Sequence, residues 1–259
     1  VTTPRLATIP GIQGRGRTSP RIGESVTVRG VVIGKVTTDE GVEGYYLQDV
    51  QGDHDPATSD GLYVLTSDIL PGGQRVEVAG VVTEHFGVTA LQDVTVRQDC
   101  GEGFEVPETY VDLAATPLDL ERFEGMRVQV RGPAEVVAND KLLQFGEIAI
   151  GWGRPFAPTN FDMQAPVSGK PFLVLDDGSY QRQPAAVPLY DAAQGSHRIG
   201  AQLDVARGVM GYGYGAFRLH LTSPPVLTNA NQRALPPAPL MEGLRVAGFN
   251  VLNFFTTPA

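Results

Sequence analysis

The sequence predicts an all-β protein built from two tandem copies of one small barrel. Three observations carry this reading. Short runs of alternating apolar residues recur along the chain. One strand–hairpin–strand cassette appears twice, and glycine (31) and proline (20) are abundant among the 259 residues. So much Gly and Pro favours short strands joined by turns over long helices. The longest helical candidate is a turn or two over Asp119 to Gly125.

The cassette that organises the chain spans residues 72–92. Val76, Val78 and then Val81 are apolar, with Arg75 and Glu77 on the opposite phase, the period-two pattern of a half-buried strand. Gly80 interrupts that strand, where a missing side chain marks a bulge or a sharp coil. His85-Phe86-Gly87 reads as a hairpin turn and Val88 to Val96 as the returning strand. The cassette returns at residues 199–219, and V-x-V-x-G strands stand at Val26 to Gly30 and Val128 to Gly132.

Residues 1–22 form a lead-in with Arg5, Arg15, Arg17 and Arg21 and no acids. It reads either as a segment packed on the first barrel or as a basic arm touching phosphates; scattered arginines without aromatics specify little. Residues 23–100 hold five expected strands, Ser25–Thr37, Glu43–Asp49, Gly61–Thr66, Gln74–His85 and Val88–Val96. A long, curling first strand followed by four short ones fits a Greek-key barrel of the OB type. Residues 101–118 form an aperiodic connector. A second OB-like unit follows over residues 119–223, with strands expected at Met126–Val137, Lys141–Ile150, Phe172–Asp176, Gln202–Tyr212 and Ala216–Leu221. A proline-bearing insertion, residues 151–170, wanders over the surface. Residues 224–240 are Pro-rich and read as a stiff linker. The apolar run from Leu244 to Phe255 then reads as a strand that cannot stand alone.

The formal charge of −9 argues against a generic, tight nucleic-acid binder unless a local basic groove compensates. A single cysteine, Cys100, excludes an internal disulfide and leaves the compartment open. Apolar residues are spread too evenly for a membrane-spanning helix. The opening Val1-Thr-Thr-Pro has neither an initiator Met nor a leader, so a processed product or a piece of a longer protein is expected.

Three sets of side chains are candidates for chemistry. Asp49, Asp53, Asp55 and Asp60 lie in one loop and offer hard oxygen ligands to Ca²⁺. That loop lacks EF-hand spacing, and Asx turns account for the same residues. Arg29, Lys35, Tyr46, Arg75 and Phe86 are candidates for holding a nucleic-acid strand on the barrel face, by charge and by stacking. Tyr45 and Tyr46 are adjacent on one strand, so one points inward and the other outward. In the second copy Tyr212, Tyr214, Phe217 and Arg218 crowd a Gly-rich hairpin, with Trp152 nearby in sequence; aromatics beside glycine in a hairpin read as packing over bare backbone. No Gly-rich phosphate loop, H-E-x-x-H, G-x-S-x-G or Cys/His cluster is present, so the chain itself is expected to be non-catalytic.

Several motifs in order carry a resemblance: Ile12-Gln-Gly, then G-E-S-V-T-V-R-G-V-V, then Gly44-Tyr-Tyr-Leu-Gln-Asp49, then Pro56-Ala-Thr-Ser-Asp-Gly61, and finally L-R-V-A-G-F-N-V-L-N-F-F. Together they resemble the region ahead of the catalytic domain in large bacterial extracellular nucleases. There an OB-fold domain precedes a DNase I-like endonuclease/exonuclease/phosphatase domain. The resemblance implies that residues 241–259 are the first strand of a truncated α/β nuclease domain, with Asn250 as its active-site Asn. It implies a secreted or periplasmic protein whose missing domain cleaves phosphodiesters with Mg²⁺ or Ca²⁺. The partners would be that domain and single-stranded DNA or RNA. His54, His85, His197 and His220 fall in none of that family's catalytic motifs. Two other readings stay open: a structural spacer, and a cell-surface or carbohydrate-binding module.

Overall fold

The computed structural model describes residues 6–68, 70–113, 119–151, 172–184, 187 and 197–228. Trp152, Asn250, most of the insertion and nearly all of the Pro-rich tail lie outside them. Among the described residues no helix is long and apolar enough to cross a membrane.

The chain enters through a short helix, α1 (Ile9–Gln13), capped by the Thr8 hydroxyl. Ile9 and Ile12 are fully buried in the core of the first unit. That unit is a closed five-stranded barrel of β1 (Ser25–Thr38), β2 (Gly41–Gln48), β3 (Gly61–Leu65), β4 (Arg75–His85) and β5 (Val88–Asp99), in the order β1-β2-β3-β5-β4. β1 is long enough to pair with β4 through its first half and with β2 through its second. A register shift between Val32 and Gly34 provides the bend that closure requires. Tyr45 points into this core with Leu47, Leu62 and Val64, as the strand period demands.

The second unit is an eight-stranded sheet. It contains β6 (Thr109–Asp112), β7 (Arg127–Arg131), β8 (Glu135–Ala138), β9 (Ile148–Gly151), β10 (Phe172–Asp176), β11 (Gln202–Gly213), β12 (Ala216–Leu221) and β13 (Val226–Thr228). Its path is β12-β10-β9-β8-β11-β7-β6, with β13 on β11 and a further β11–β12 pairing. β10 and β12 pair in parallel, as β3 and β5 do in the barrel. The one strand expected over 126–137 is two, broken at Gly132–Pro133, because proline has no N–H for the ladder. The strand expected from Lys141 begins only at Ile148. Leu142–Phe145 form a helical turn, α2, since these residues do not alternate, and Gly146 closes it in the left-handed region. The presumed connector supplies β6 and the presumed linker supplies β13, both taken up by sheet pairing.

The two units meet over the outer face of β2 and β3. Tyr46, Tyr63, Val36, Val88 and Ala90 of the barrel pack with Val209 of β11 into a third core, joined by Tyr180 and Tyr212. Backbone hydrogen bonds extend the contact: Thr37 N–H donates to the Gly178 carbonyl (3.2 Å) and Tyr180 N–H to the Thr37 carbonyl (2.8 Å). At the other end Gly61 and Gly125 meet backbone to backbone, and a Cβ at Gly61 would lie 2.1 Å from the Gly125 carbonyl carbon. The Glu124 side chain is sealed beside this point, accepting from Thr89 N–H (2.9 Å) and the Gln13 amide (3.4 Å). Its second oxygen has no hydrogen-bond partner among the described residues. Burial, with the nearby Glu121 charge, pushes its pKa up to about 8 against those donors.

Gly61→Ala forces this backbone contact apart and is expected to destabilise the protein by about 3 kcal/mol, read from the urea midpoint. Glu124 holds a proton in the folded state that the unfolded chain has released above its ordinary 4.5. Stability therefore falls as pH rises through the window from 4.5 to about 8, by up to about 1.4 kcal/mol per pH unit. Glu124→Gln, neutral throughout, should flatten that slope in urea titrations at several pH values and be the more stable form at pH ~8.

Candidate functional site

Where the seam opens to solvent it leaves a cavity of about 560 Å³. The barrel contributes Tyr46 and Tyr63 from β2 and β3, Glu43 from the start of β2, and His85 and Phe86 from the β4–β5 hairpin. The second unit contributes Tyr180 and the β11–β12 hairpin, Tyr212 to Gly215. No Lys or Arg is among the described lining residues. Its size lies within the ~300–1,000 Å³ usual for small-molecule pockets.

Both hairpins carry an aromatic residue at the tip. Phe86 and Gly87 have φ of 52° and 87°, and Tyr214 and Gly215 have 52° and 82°. Two successive positive φ values define the turn whose twist suits a two-residue hairpin, a turn that favours Asn-Gly. A bulky L-residue in that region costs roughly 1–2 kcal/mol. Phe86 and Tyr214 are nonetheless 81% exposed each. Strained, solvent-facing rings at a cavity mouth point to a role outside folding.

The rings are braced from behind. Tyr46 and Tyr63 lie 4.8 Å apart between centroids, Phe86 meets His85 edge-on at 4.6 Å, and Tyr180 meets Tyr214 edge-on at 5.7 Å. The Arg218 guanidinium sits 5.0 Å from the Tyr214 ring centre. It donates to Asp176 (2.6 Å), Glu147 (2.8 Å) and the Gly213 carbonyl (3.1 Å), tying the hairpin to β10. Burial raises the Asp176 pKa, but His220, Arg218 and the Gly178 N–H outweigh it and hold the carboxyl below its ordinary range. His220 Nδ1 faces Asp176 at 3.4 Å without the alignment of a hydrogen bond. Burial pushes the phenols of Tyr46, Tyr63 and Tyr180 upward, so all three stay neutral near pH ~7. Glu43 accepts from His85 Nε2 at 3.0 Å and stands 3.4 Å from the Tyr63 hydroxyl.

The five residues proposed for strand binding are not gathered into one groove. Arg29 is paired with Glu77 at 2.8 Å, and Arg75 lies over the Phe104 ring at 5.7 Å, both on the β1–β4 side. Lys35, Tyr46 and Phe86 stand at the seam instead. Lys35 is exposed beside a smaller recess, Phe86 lines the cavity mouth, and Tyr46 is buried, its outward face covered by the second unit. In the acidic loop, Asp49, Asp53 and Asp55 accept backbone N–H groups two residues on, and Asp55 also pairs with Arg15. Asp60 packs against Gly52, with burial raising its pKa. Among the described residues no group of three His, Cys, Asp or Glu side chains converges as metal ligands. Tyr180 and the Glu43–His85 pair were not singled out from the sequence. The signal that could have flagged the site is the aromatic-Gly tip shared by both cassettes, Phe86-Gly87 and Tyr214-Gly215.

In comparison with known proteins, no protein-family model matches the sequence and no curated protein is significantly similar to it.

Replacing Arg218 by Met leaves Asp176 and Glu147 buried without their cation. The change is expected to cost about 3–5 kcal/mol, measured by thermal and urea unfolding.

Proposed function

We propose that the chain is the non-catalytic, N-terminal part of a secreted, metal-dependent nuclease, holding single-stranded nucleic acid by base stacking and presenting the catalytic domain that follows. In this reading both units are OB-type barrels. The order β9-β10-β12-β11 repeats β2-β3-β5-β4, and β8 returns to β11 through Gln202 and Glu135. β7 and β8 together then stand for the long first strand.

The observation that carries the proposal is the place of the aromatic cavity. It lies on the outer face of β2 and β3, between the start of β2 and the β4–β5 hairpin, the surface on which OB barrels take oligonucleotides. Stacking on tyrosine and phenylalanine tolerates any base. Described lining residues without Lys or Arg, in a chain of charge −9, favour stacking over phosphate contact as the source of affinity. The seam, sealed by apolar packing and backbone hydrogen bonds, also suits a rigid mount for a neighbouring domain.

Anisotropy of a labelled single-stranded oligonucleotide titrated with the 259-residue chain tests this. Binding at micromolar protein is expected, with a shallow salt slope because few counterions are released. Phe86→Ala and Tyr214→Ala should each weaken it by about 5- to 100-fold. Absence of binding at low salt would leave a rigid spacer.

A further inference from the structure

We propose that the seam cavity reads guanine. The inference rests on the strand-holding reading above and names the base that the same cavity selects.

Rings of Tyr180, Tyr212, Tyr214 and Phe86 give the cavity exposed or half-exposed π-faces suited to a planar heterocycle, with the buried Tyr46 and Tyr63 forming its floor. Its volume of about 560 Å³ exceeds what a compact cationic headgroup needs and accommodates a nucleoside. With no Lys or Arg among the described lining residues, the part of the ligand held inside is a base rather than a phosphate. Among the described lining residues one carboxyl group stands beside the rings. Glu43 presents a carboxylate whose orientation is set by His85 Nε2 at 3.0 Å.

A carboxylate accepts and cannot donate, so it selects an edge carrying adjacent N–H donors. Guanine presents two, N1–H and the N2 amine, spaced to meet both oxygens of one carboxylate. Adenine places an acceptor at N1, cytosine offers only its N4 amine, and the N3–H of thymine or uracil is flanked by carbonyl oxygens that a carboxylate repels. The Tyr63 hydroxyl donates to Glu43 Oε2 at 3.4 Å, so the carboxylate is steadied on both oxygens, each of which keeps a lone pair for the incoming base. Glu43 and His85 are each about a quarter exposed (26% and 27%), so an incoming base can reach them.

Calorimetric titration of the full chain with guanosine, inosine, adenosine and tetramethylammonium tests the proposal. Guanosine should bind at least about 10-fold more tightly than inosine, which lacks the N2 amine, and than adenosine, which lacks both donors. Glu43→Gln should abolish the preference while leaving weak, base-independent binding. The inosine comparison needs no variant, so it holds even if that substitution perturbs folding. Equal affinity for the three nucleosides would overturn the proposal, and so would tetramethylammonium displacing guanosine, which would make the cavity a cage for organic cations. An oligonucleotide bound without base preference would sink guanine reading but leave strand holding intact. Guanosine bound selectively with no oligonucleotide binding would do the reverse.

Discussion

The rest of the molecule depends on the outward face of β2 and β3 being covered. A five-stranded barrel fills its interior with Tyr45, Leu47, Leu62 and Val64, which leaves Tyr46 and Tyr63 on the outside of the same strands. Two adjacent tyrosines exposed on a sheet would form an apolar patch in want of a partner. Val209 of β11, Tyr180 and Tyr212 supply it. Bare backbone makes the approach close enough: Gly211 leaves room for the Tyr46 hydroxyl, where a Cβ would stand 2.5 Å away. The seam is therefore a core in its own right.

Because the second unit covers that face only in part, an aromatic cavity remains at the rim. Its properties follow from what holds the seam. The phenols are neutral because they are buried, and Tyr214 is held outward because Arg218 beneath it is fixed by two carboxylates. Such a buried network adds little net stability over a well-packed apolar one, but it sets geometry. Here the geometry it sets is that of a hairpin tip in a costly backbone conformation. Strain in the turn, charge under the ring and exposure of the ring belong to one arrangement.

Much of this architecture was legible in the chain. The period-two runs located every strand of the barrel to within a few residues, and the paired Gly-rich cassettes located both hairpins. The misplaced elements have local causes. Pro133 breaks a strand that alternation alone would continue, and Leu142 to Phe145 turn helically because they do not alternate. β6 and β13 were missed because short segments take their strand character from the neighbour they pair with. The site was legible only in fragments. Phe86 and Tyr46 were named as aromatics that stack, but Arg29 and Arg75 were grouped with them, although Glu77 and Phe104 occupy those two on another side of the barrel.

What the sequence by itself determined was local: strand periods, turn positions, the inward–outward alternation that places Tyr45 inside and Tyr46 outside. These rest on interactions within a few residues, which composition and spacing record directly. Only the tertiary structure decided that the outward tyrosines face a second sheet, that Glu43 meets His85 across 42 positions, and that Arg218 meets Glu147 across 71. Contacts between elements so far apart in the chain depend on how two closed surfaces dock. No periodicity encodes that docking, since it is chosen by the shapes that folding creates.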